Sequence, residues 1–135
     1  MLKLIIGVKG TGKTKTLINM VNTAVENSHG NVVCIEKGVK LRYDIKYRAR
    51  LIDADEYQIN DAQSLYGFIA GILASNHDVT DLFVDSALKI CKNDLAGFDT
   101  FVADLDKLVE KVGVNVVITS SIPTEEASEI VKKYI

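Results

Sequence analysis

The chain has 135 residues, which is enough for one domain of ordinary size and too short for two. Its apolar content of 47% and charged content of 25% are typical of a packed soluble protein and not of a disordered or fibrous one. No apolar run reaches membrane-spanning length, and Lys3 and Lys9 interrupt the apolar start. We therefore expect a cytoplasmic protein with neither a membrane segment nor a signal peptide.

The net charge of −2 conceals an uneven distribution along the chain. Residues 1–50 carry ten Lys/Arg against three Asp/Glu, a net charge of +7, whereas residues 51–135 carry six against fifteen, a net charge of −9. The basic part also contains the glycine-rich segment described next.

A glycine-rich segment follows the first apolar run, Leu4–Ile6. Gly7, Gly12, Lys13 and Thr14 match G-x-x-x-x-G-K-[ST] in full, and a helix-compatible stretch extends from Lys13 to about Glu26. Glycines let backbone N–H groups approach phosphate oxygens closely, while the positive end of the helix dipole points at the same anion. The predicted nucleotide-binding residues are the whole loop: Gly7, Val8, Lys9, Gly10, Thr11, Gly12, Lys13, Thr14 and Lys15.

With strand, loop and helix in this order, the segment resembles the Walker A motif of the P-loop NTPase superfamily. The resemblance implies a three-layer α/β fold with a mostly parallel sheet between helices, formed by residues 1–135 as a single domain. It also implies that the cofactors are ATP and Mg²⁺, with Lys13 reaching the β- and γ-phosphates as a catalytic residue. Thr14 would then be a metal ligand.

Val32–Ile35 reads as a second buried strand, which ends at Glu36. From residue 39 onward, apolar and charged residues alternate. A period of two predicts β structure with one solvated face, and a run this long should bend. We therefore predict a β-hairpin or an extended insertion around residues 39–52. The residues predicted to share its apolar face are Val39, Leu41, Tyr43, Ile45, Tyr47, Ala49 and Leu51.

The remaining chain alternates helices and strands, which predicts a parallel sheet with its ligand site at the carboxyl ends of the strands. One helix is capped by Asn60 or Asp61 and ends near Asn76, and another stops at Gly113. Buried strands are predicted at Leu82–Val84 and Val114–Ile118, and a terminal helix with Ala127, Ile130 and Val131 follows Pro123. The polar groups expected to meet in one crevice are Gly7 to Thr14, Glu36, Asp85 and Thr119 to Ser121.

Asp85 directly follows the apolar run Leu-Phe-Val and looks like the Walker B aspartate of the superfamily. In that role it would support Mg²⁺ together with Thr14. The alternative is an ordinary strand-end acid that caps a turn. Asp53 and Asp55 are rivals for the metal, because Arg-Leu-Ile-Asp also ends a strand-like run.

Many ATPases of the superfamily place a catalytic glutamate directly after this aspartate, but here the position is Ser86. Val-Cys-Ile-Glu-Lys resembles the strand that carries the catalytic glutamate in RecA-like, type II secretion and twitching-motility ATPases. The resemblance implies that Glu36 is the general base, and the alternative is a solvated strand-end residue. Thr119 or Ser120 matches the polar sensor position, although Ser and Thr also cap turns.

The leading functional hypothesis is a small cytoplasmic ATP-binding protein with slow Mg²⁺-dependent hydrolysis. ATP is favoured over GTP because no N-K-x-D motif follows a strand. The alternatives are a small-molecule kinase, whose acceptor would bind residues 37–57, and a nucleotide-gated binding module without significant turnover.

All three arginines of the chain, Arg42, Arg48 and Arg50, fall on the charged face of the alternating run. This face is either a solvated edge or a site that meets anions, on a neighbouring subunit or on nucleic acid. We favour self-association into a homo-oligomer in the presence of ATP, and we expect no membrane partner.

Overall fold

A computed structural model describes residues 1–135 and contains a five-stranded sheet in the order β1-β5-β4-β2-β3, in which every neighbouring pair is parallel. The predicted α/β architecture is confirmed. The strands are β1 (Leu2–Ile6), β2 (Asn31–Glu36), β3 (Arg50–Asp53), β4 (Val79–Val84) and β5 (Asn115–Ser120). The helices are α1 (Lys13–Asn27), α2 (Ala62–Ser75), α3 (Ala87–Ile90), α4 (Leu95–Val112) and α5 (Glu129–Lys132).

Helices cover both faces of the sheet because successive strand residues point in opposite directions. Val32 and Cys34 of β2 pack with α1, whereas Val33 and Ile35 belong to the larger core formed with α2, α4 and the C-terminal segment. Strands buried on both faces explain the continuous apolar runs in the sequence. None of the helices combines the length and the apolar character needed to cross a bilayer.

The helix ends follow the capping signals in the sequence. The Asp61 carboxylate accepts a hydrogen bond from the Ser64 N–H, which forms a capping box at the start of α2. Gly113 ends α4 in the left-handed region, with φ of 80°. These signals act within a few residues of the chain, which is why the sequence was sufficient to predict them.

The predicted β-hairpin or extended insertion around residues 39–52 is wrong. Residues 39–49 form successive turns, in which the N–H groups of Asp44 and Ile45 both donate to the Leu41 carbonyl, and only Arg50–Asp53 is a strand. Burial then recurs every fourth residue, at Leu41, Ile45 and Ala49.

This difference separates residues that were predicted to share one face. Leu41, Ile45 and Ala49 pack against α1 and the sheet, whereas Tyr43 and Tyr47 are 92% and 94% exposed. A strand and a chain of tight turns both keep charged residues outside, so alternation of residue types alone does not distinguish them.

Candidate functional site

The glycine loop joins β1 to α1, and two of its own side chains hydrogen-bond to its backbone. The Thr11 hydroxyl and the Lys13 ammonium each donate to the Val8 carbonyl, both at 2.8 Å. Gly10 and Gly12 have φ of 86° and 83°, a region in which other residues are strained, and Gly12 is the N-cap of α1. The sequence therefore places glycine where the loop needs a left-handed backbone just before the helix.

A cavity of about 620 Å³ opens at the carboxyl ends of the strands, in front of this loop. It includes most of the residues that the sequence singled out: Lys9, Gly10, Gly12, Lys13, Thr14, Lys15, Glu36, Asp85, Thr119 and Ser121. Gly7, Val8 and Thr11 belong to the loop but do not line the cavity. Ser120 is fully buried, and its hydroxyl accepts a hydrogen bond from the Leu88 N–H instead.

Asp85 lies beside the start of α1, within hydrogen-bond distance of Thr14. The Thr14 hydroxyl is 3.2 Å from Oδ1 and 3.3 Å from Oδ2 of Asp85, and the Thr119 hydroxyl donates to Oδ1 at 2.7 Å. Thr119 Oγ1 also accepts a hydrogen bond from the Ser86 N–H at 2.8 Å. Ser86 has φ of 56°, so the backbone after Asp85 is held in a conformation that non-glycine residues seldom adopt.

The Thr14 hydroxyl and the Asp85 carboxylate are oxygen ligands that suit a magnesium ion whose other ligands come from water and a bound molecule. No group of three or more His, Cys, Asp or Glu side chains is arranged to hold a metal without help. Mg²⁺ is commonly bound in this way, by one or two protein oxygens with water and phosphate oxygens completing the shell. The donor set at Thr14 and Asp85 therefore suits a metal that accompanies a nucleotide.

The two rival carboxylates are engaged elsewhere. Asp53 Oδ1 accepts hydrogen bonds from the N–H groups of Gly38 and Asp55, at 2.8 and 2.9 Å. Asp55 forms an ion pair with Lys37 at 2.6 Å. Neither carboxylate lines the cavity, so the geometry favours Asp85 as the metal-facing acid.

Glu36 ends β2 beside Asp85, because β2 and β4 are neighbours in the sheet. Its side chain is buried, with 3% of the residue exposed, and Oε2 accepts a hydrogen bond from the Leu41 N–H at 2.9 Å. Burial raises the pKa of this carboxyl above its usual value, and the Leu41 N–H opposes that shift in part. A solvated strand-end glutamate would not show this environment.

Part of the cavity wall was not predicted to belong to this site. Six lysines line the cavity against two carboxylates, and three of them lie outside the glycine loop: Lys37, Lys40 and Lys89. Lys89 is on α3, a helix of four residues that is too short to show a periodic pattern. Its position four residues after Asp85 was the only available signal. The excess of positive charge is appropriate for a polyanionic ligand.

Comparisons with known proteins identify the fold. No protein-family model matches the chain, and no curated protein matches it in sequence. Among solved structures, the fold is similar to that of the KaiC-like protein PH0186 from the hyperthermophilic archaeon Pyrococcus horikoshii OT3, with a TM-score of 0.71 and 15% sequence identity. The match covers 98% of this chain and 66% of that one, so the chain spans about two thirds of its length. The likeness establishes a shared α/β architecture.

Proposed function

We propose that this protein binds Mg²⁺–ATP at the glycine loop and hydrolyses it slowly. The observation that carries the proposal is the position of Lys13 and Thr14 at the start of α1, with the Thr14 hydroxyl facing Asp85. The sheet order supports it, because β5 lies between β1, which leads into the loop, and β4, which ends at Asp85. This is the arrangement expected of P-loop proteins with an additional strand.

The loop residues would bind the triphosphate through charge and backbone donors. The N–H groups at the start of α1 have no partners within the helix, and the helix dipole adds to their attraction for an anion. Lys13 donates to the Val8 carbonyl, an uncharged acceptor that a phosphate oxygen would replace. Lys9, Lys15, Lys40 and Lys89 add positive charge around the same cavity.

Thr14 and Asp85 would hold the magnesium ion, which when bound neutralises phosphate charge during transfer. Thr119 would support Asp85 in this role. By donating to Oδ1 while it accepts from the Ser86 N–H, its hydroxyl fixes the carboxylate in one orientation. The buried position of Asp85, which is 7% exposed, strengthens these contacts.

Glu36 is the general base in this proposal. Its raised pKa makes the carboxylate a better proton acceptor than an exposed glutamate, and it lies in the wall of the same cavity. The hydrogen bond from Leu41 leaves Oε1 as the oxygen to orient a water molecule. In this proposal Glu36 is the single general base, and no catalytic glutamate directly follows Asp85. One such carboxylate is consistent with slow turnover of ATP.

Isothermal titration calorimetry with ATP and GTP, each with Mg²⁺ or with EDTA, tests the binding step. We expect ATP to bind more tightly with Mg²⁺, and phosphate release to be measurable over hours. A specific rate of phosphate release that changes with protein concentration would indicate self-association. Phosphorylation of an added small-molecule acceptor would indicate kinase activity. Failure of the protein to bind ATP or GTP under any condition would overturn the proposal.

A further inference from the structure

The short helix α3 begins two residues after Asp85 and presents one side chain to the cavity. Three of its four residues are buried in the core: Ala87, Leu88 and Ile90. Lys89 is its only exposed residue, and it lines the cavity together with Asp85. The packing of α3 therefore leaves a single cation facing the site.

Two hydroxyl groups at the end of β5 hold α3 in place. The Ser86 N–H donates to Thr119 Oγ1 at 2.8 Å, and the Leu88 N–H donates to Ser120 Oγ at 3.2 Å. Because both hydroxyls belong to buried residues, the loss of either hydrogen bond would leave a buried polar group unsatisfied. The backbone that leads into α3 is therefore fixed, and Lys89 extends from a defined position.

Residues with a left-handed backbone flank the same helix. Only four residues other than glycine have positive φ, and three of them are Ser86, Lys92 and Asn93, with φ of 56°, 56° and 60°. Such residues cost free energy and concentrate at active sites and ligand-binding segments. Asn93 lines the cavity as Lys89 does. The strained backbone therefore coincides with the segment that faces the ligand site.

Lys89 differs from the other cavity lysines that lie outside the glycine loop. Lys37 and Lys40 come from the segment after β2, and Lys37 is already paired with Asp55. Lys89 forms no ion pair, and it comes from the element that directly follows Asp85. A phosphate group bound beside Asp85 would therefore have an uncommitted cation available from the same part of the chain.

We propose that Lys89 is a catalytic residue that contacts the γ-phosphoryl group during its transfer to water, a role that rests on the ATP hydrolysis proposed above. In this step the water oxygen forms a bond to the γ-phosphorus as the bond from that phosphorus to the β–γ bridging oxygen breaks. The electron pair of the broken bond goes to the bridging oxygen, which leaves with ADP, and the water proton goes to Glu36.

A fixed cation stabilises this step because charge is redistributed over the phosphoryl and leaving oxygens in the transition state. P-loop enzymes commonly obtain such a cation from an arginine, supplied by the same chain or by a partner. None of the three arginines of this chain lines the cavity. Lys89 would supply the charge within the chain itself.

Phosphate release and ATP binding by Lys89→Met, Lys89→Arg and the wild type test this role. Lys89→Met keeps an unbranched stem without the charge, and it should lower turnover at least about a hundredfold. Its affinity for Mg²⁺–ATP should change less than about threefold, because the contact acts mainly in the transition state. Lys89→Arg restores a cation and should keep turnover within about tenfold of the wild type. Lys107→Met, at an exposed lysine of α4, is the matched control and should leave both quantities within about twofold.

Binding of Mg²⁺–ADP with aluminium fluoride, which mimics the transferring phosphoryl group, gives a second measurement that does not depend on a slow rate. Lys89→Met should weaken this binding at least about tenfold while it unfolds at the same urea concentration as the wild type. A wild type that binds neither ATP nor GTP would overturn the proposed function itself. If the wild type binds and hydrolyses ATP, and Lys89→Met matches it in turnover and in aluminium fluoride binding, only the role of Lys89 is overturned. The same holds if Lys89→Met loses as much affinity for ATP as for the mimic.

Discussion

The carboxylate of Glu36 accepts a hydrogen bond from the backbone N–H of Leu41, with 2.9 Å between Oε2 and the nitrogen. This contact joins the carboxyl end of β2 to the first buried residue of the turns that follow. It fixes the glutamate in the wall of the cavity and holds one of its two oxygens. The proposed general base and the position of residues 39–49 are therefore linked through one side chain.

The first prediction is that Glu36→Gln binds Mg²⁺–ATP as the wild type does but turns it over at least about a hundredfold more slowly. The amide oxygen can still accept from the Leu41 N–H, so the fold and the binding site remain, while the basic oxygen is lost. Calorimetry measures binding and phosphate release measures turnover.

Asp53→Asn is the matched control for this experiment. Its amide oxygen can still accept the hydrogen bonds from Gly38 and Asp55, and the side chain lies outside the cavity, so turnover should stay at the wild-type rate. If Asp53→Asn is slow and Glu36→Gln is not, the general base has been assigned to the wrong strand.

The clustering of the candidate site residues was largely predictable from the sequence, because parallel strands deliver their carboxyl ends to one edge. Glu36, Asp85 and Thr119 each follow a buried apolar run, and strand direction alone brings them together. The contacts among them were not predictable. The hydrogen bond from Thr119 to Asp85 depends on the neighbouring register of β4 and β5, which no local pattern reveals.

Residues 39–49 show why the rest of the fold could not be predicted. Their alternation of apolar and charged residues fits a strand, but Tyr43 and Tyr47 are amphipathic and satisfy either arrangement. The outcome depends on tertiary contacts: Asn22 of α1 holds the backbone at Asp44 and Lys46, and the Glu36 carboxylate holds it at Leu41. Such partners lie outside any window of sequence.

The second prediction concerns the loop lysine. Lys13→Ala should weaken Mg²⁺–ATP binding at least tenfold, about 1.4 kcal/mol. The substitution removes the ammonium group that donates to the Val8 carbonyl and would donate to a phosphate oxygen when ATP is bound. Lys107→Ala removes an exposed lysine of α4 and serves as the control. Calorimetry that gives the same affinity for wild type and Lys13→Ala would contradict the assignment of the loop.

The third prediction concerns the hydroxyl that supports Asp85. Thr119→Val keeps the shape of the side chain but leaves the Ser86 N–H without its acceptor and removes the shorter of the hydrogen bonds that threonine hydroxyls donate to Asp85. The free energy of unfolding in urea should fall by about 1–3 kcal/mol. Thr100→Val on the exposed side of α4 should change it by less than about 0.5 kcal/mol. If both substitutions changed the free energy of unfolding equally, the Thr119 hydrogen bonds would not contribute to stability.

The fourth prediction distinguishes the turns from the strand that the alternation had predicted. Ile45→Ala should lower the free energy of unfolding by about 2–5 kcal/mol, because Ile45 is 7% exposed and packs against α1. Tyr43→Ala should change it by no more than about 0.5 kcal/mol. In a strand the two side chains would share one face and would respond alike, so similar losses from both substitutions would contradict the period of four.

The last prediction follows from the protonation of Glu36. Burial raises its pKa in the folded protein above the ordinary glutamate value of 4.5, so the folded state binds the proton more tightly than the unfolded state does. Burying the carboxylate therefore costs nothing below the ordinary value, and the cost grows as pH rises from there through the raised pKa. Glu36→Gln carries no such charge. The variant should be more stable than the wild type at neutral pH, and the difference should shrink as pH falls toward 4.5. Urea unfolding of both proteins across this range measures it, with Glu125→Gln at an exposed glutamate as the control. A difference between wild type and Glu36→Gln that stays constant with pH would mean that the Glu36 carboxylate is as well solvated in the folded protein as in the unfolded chain.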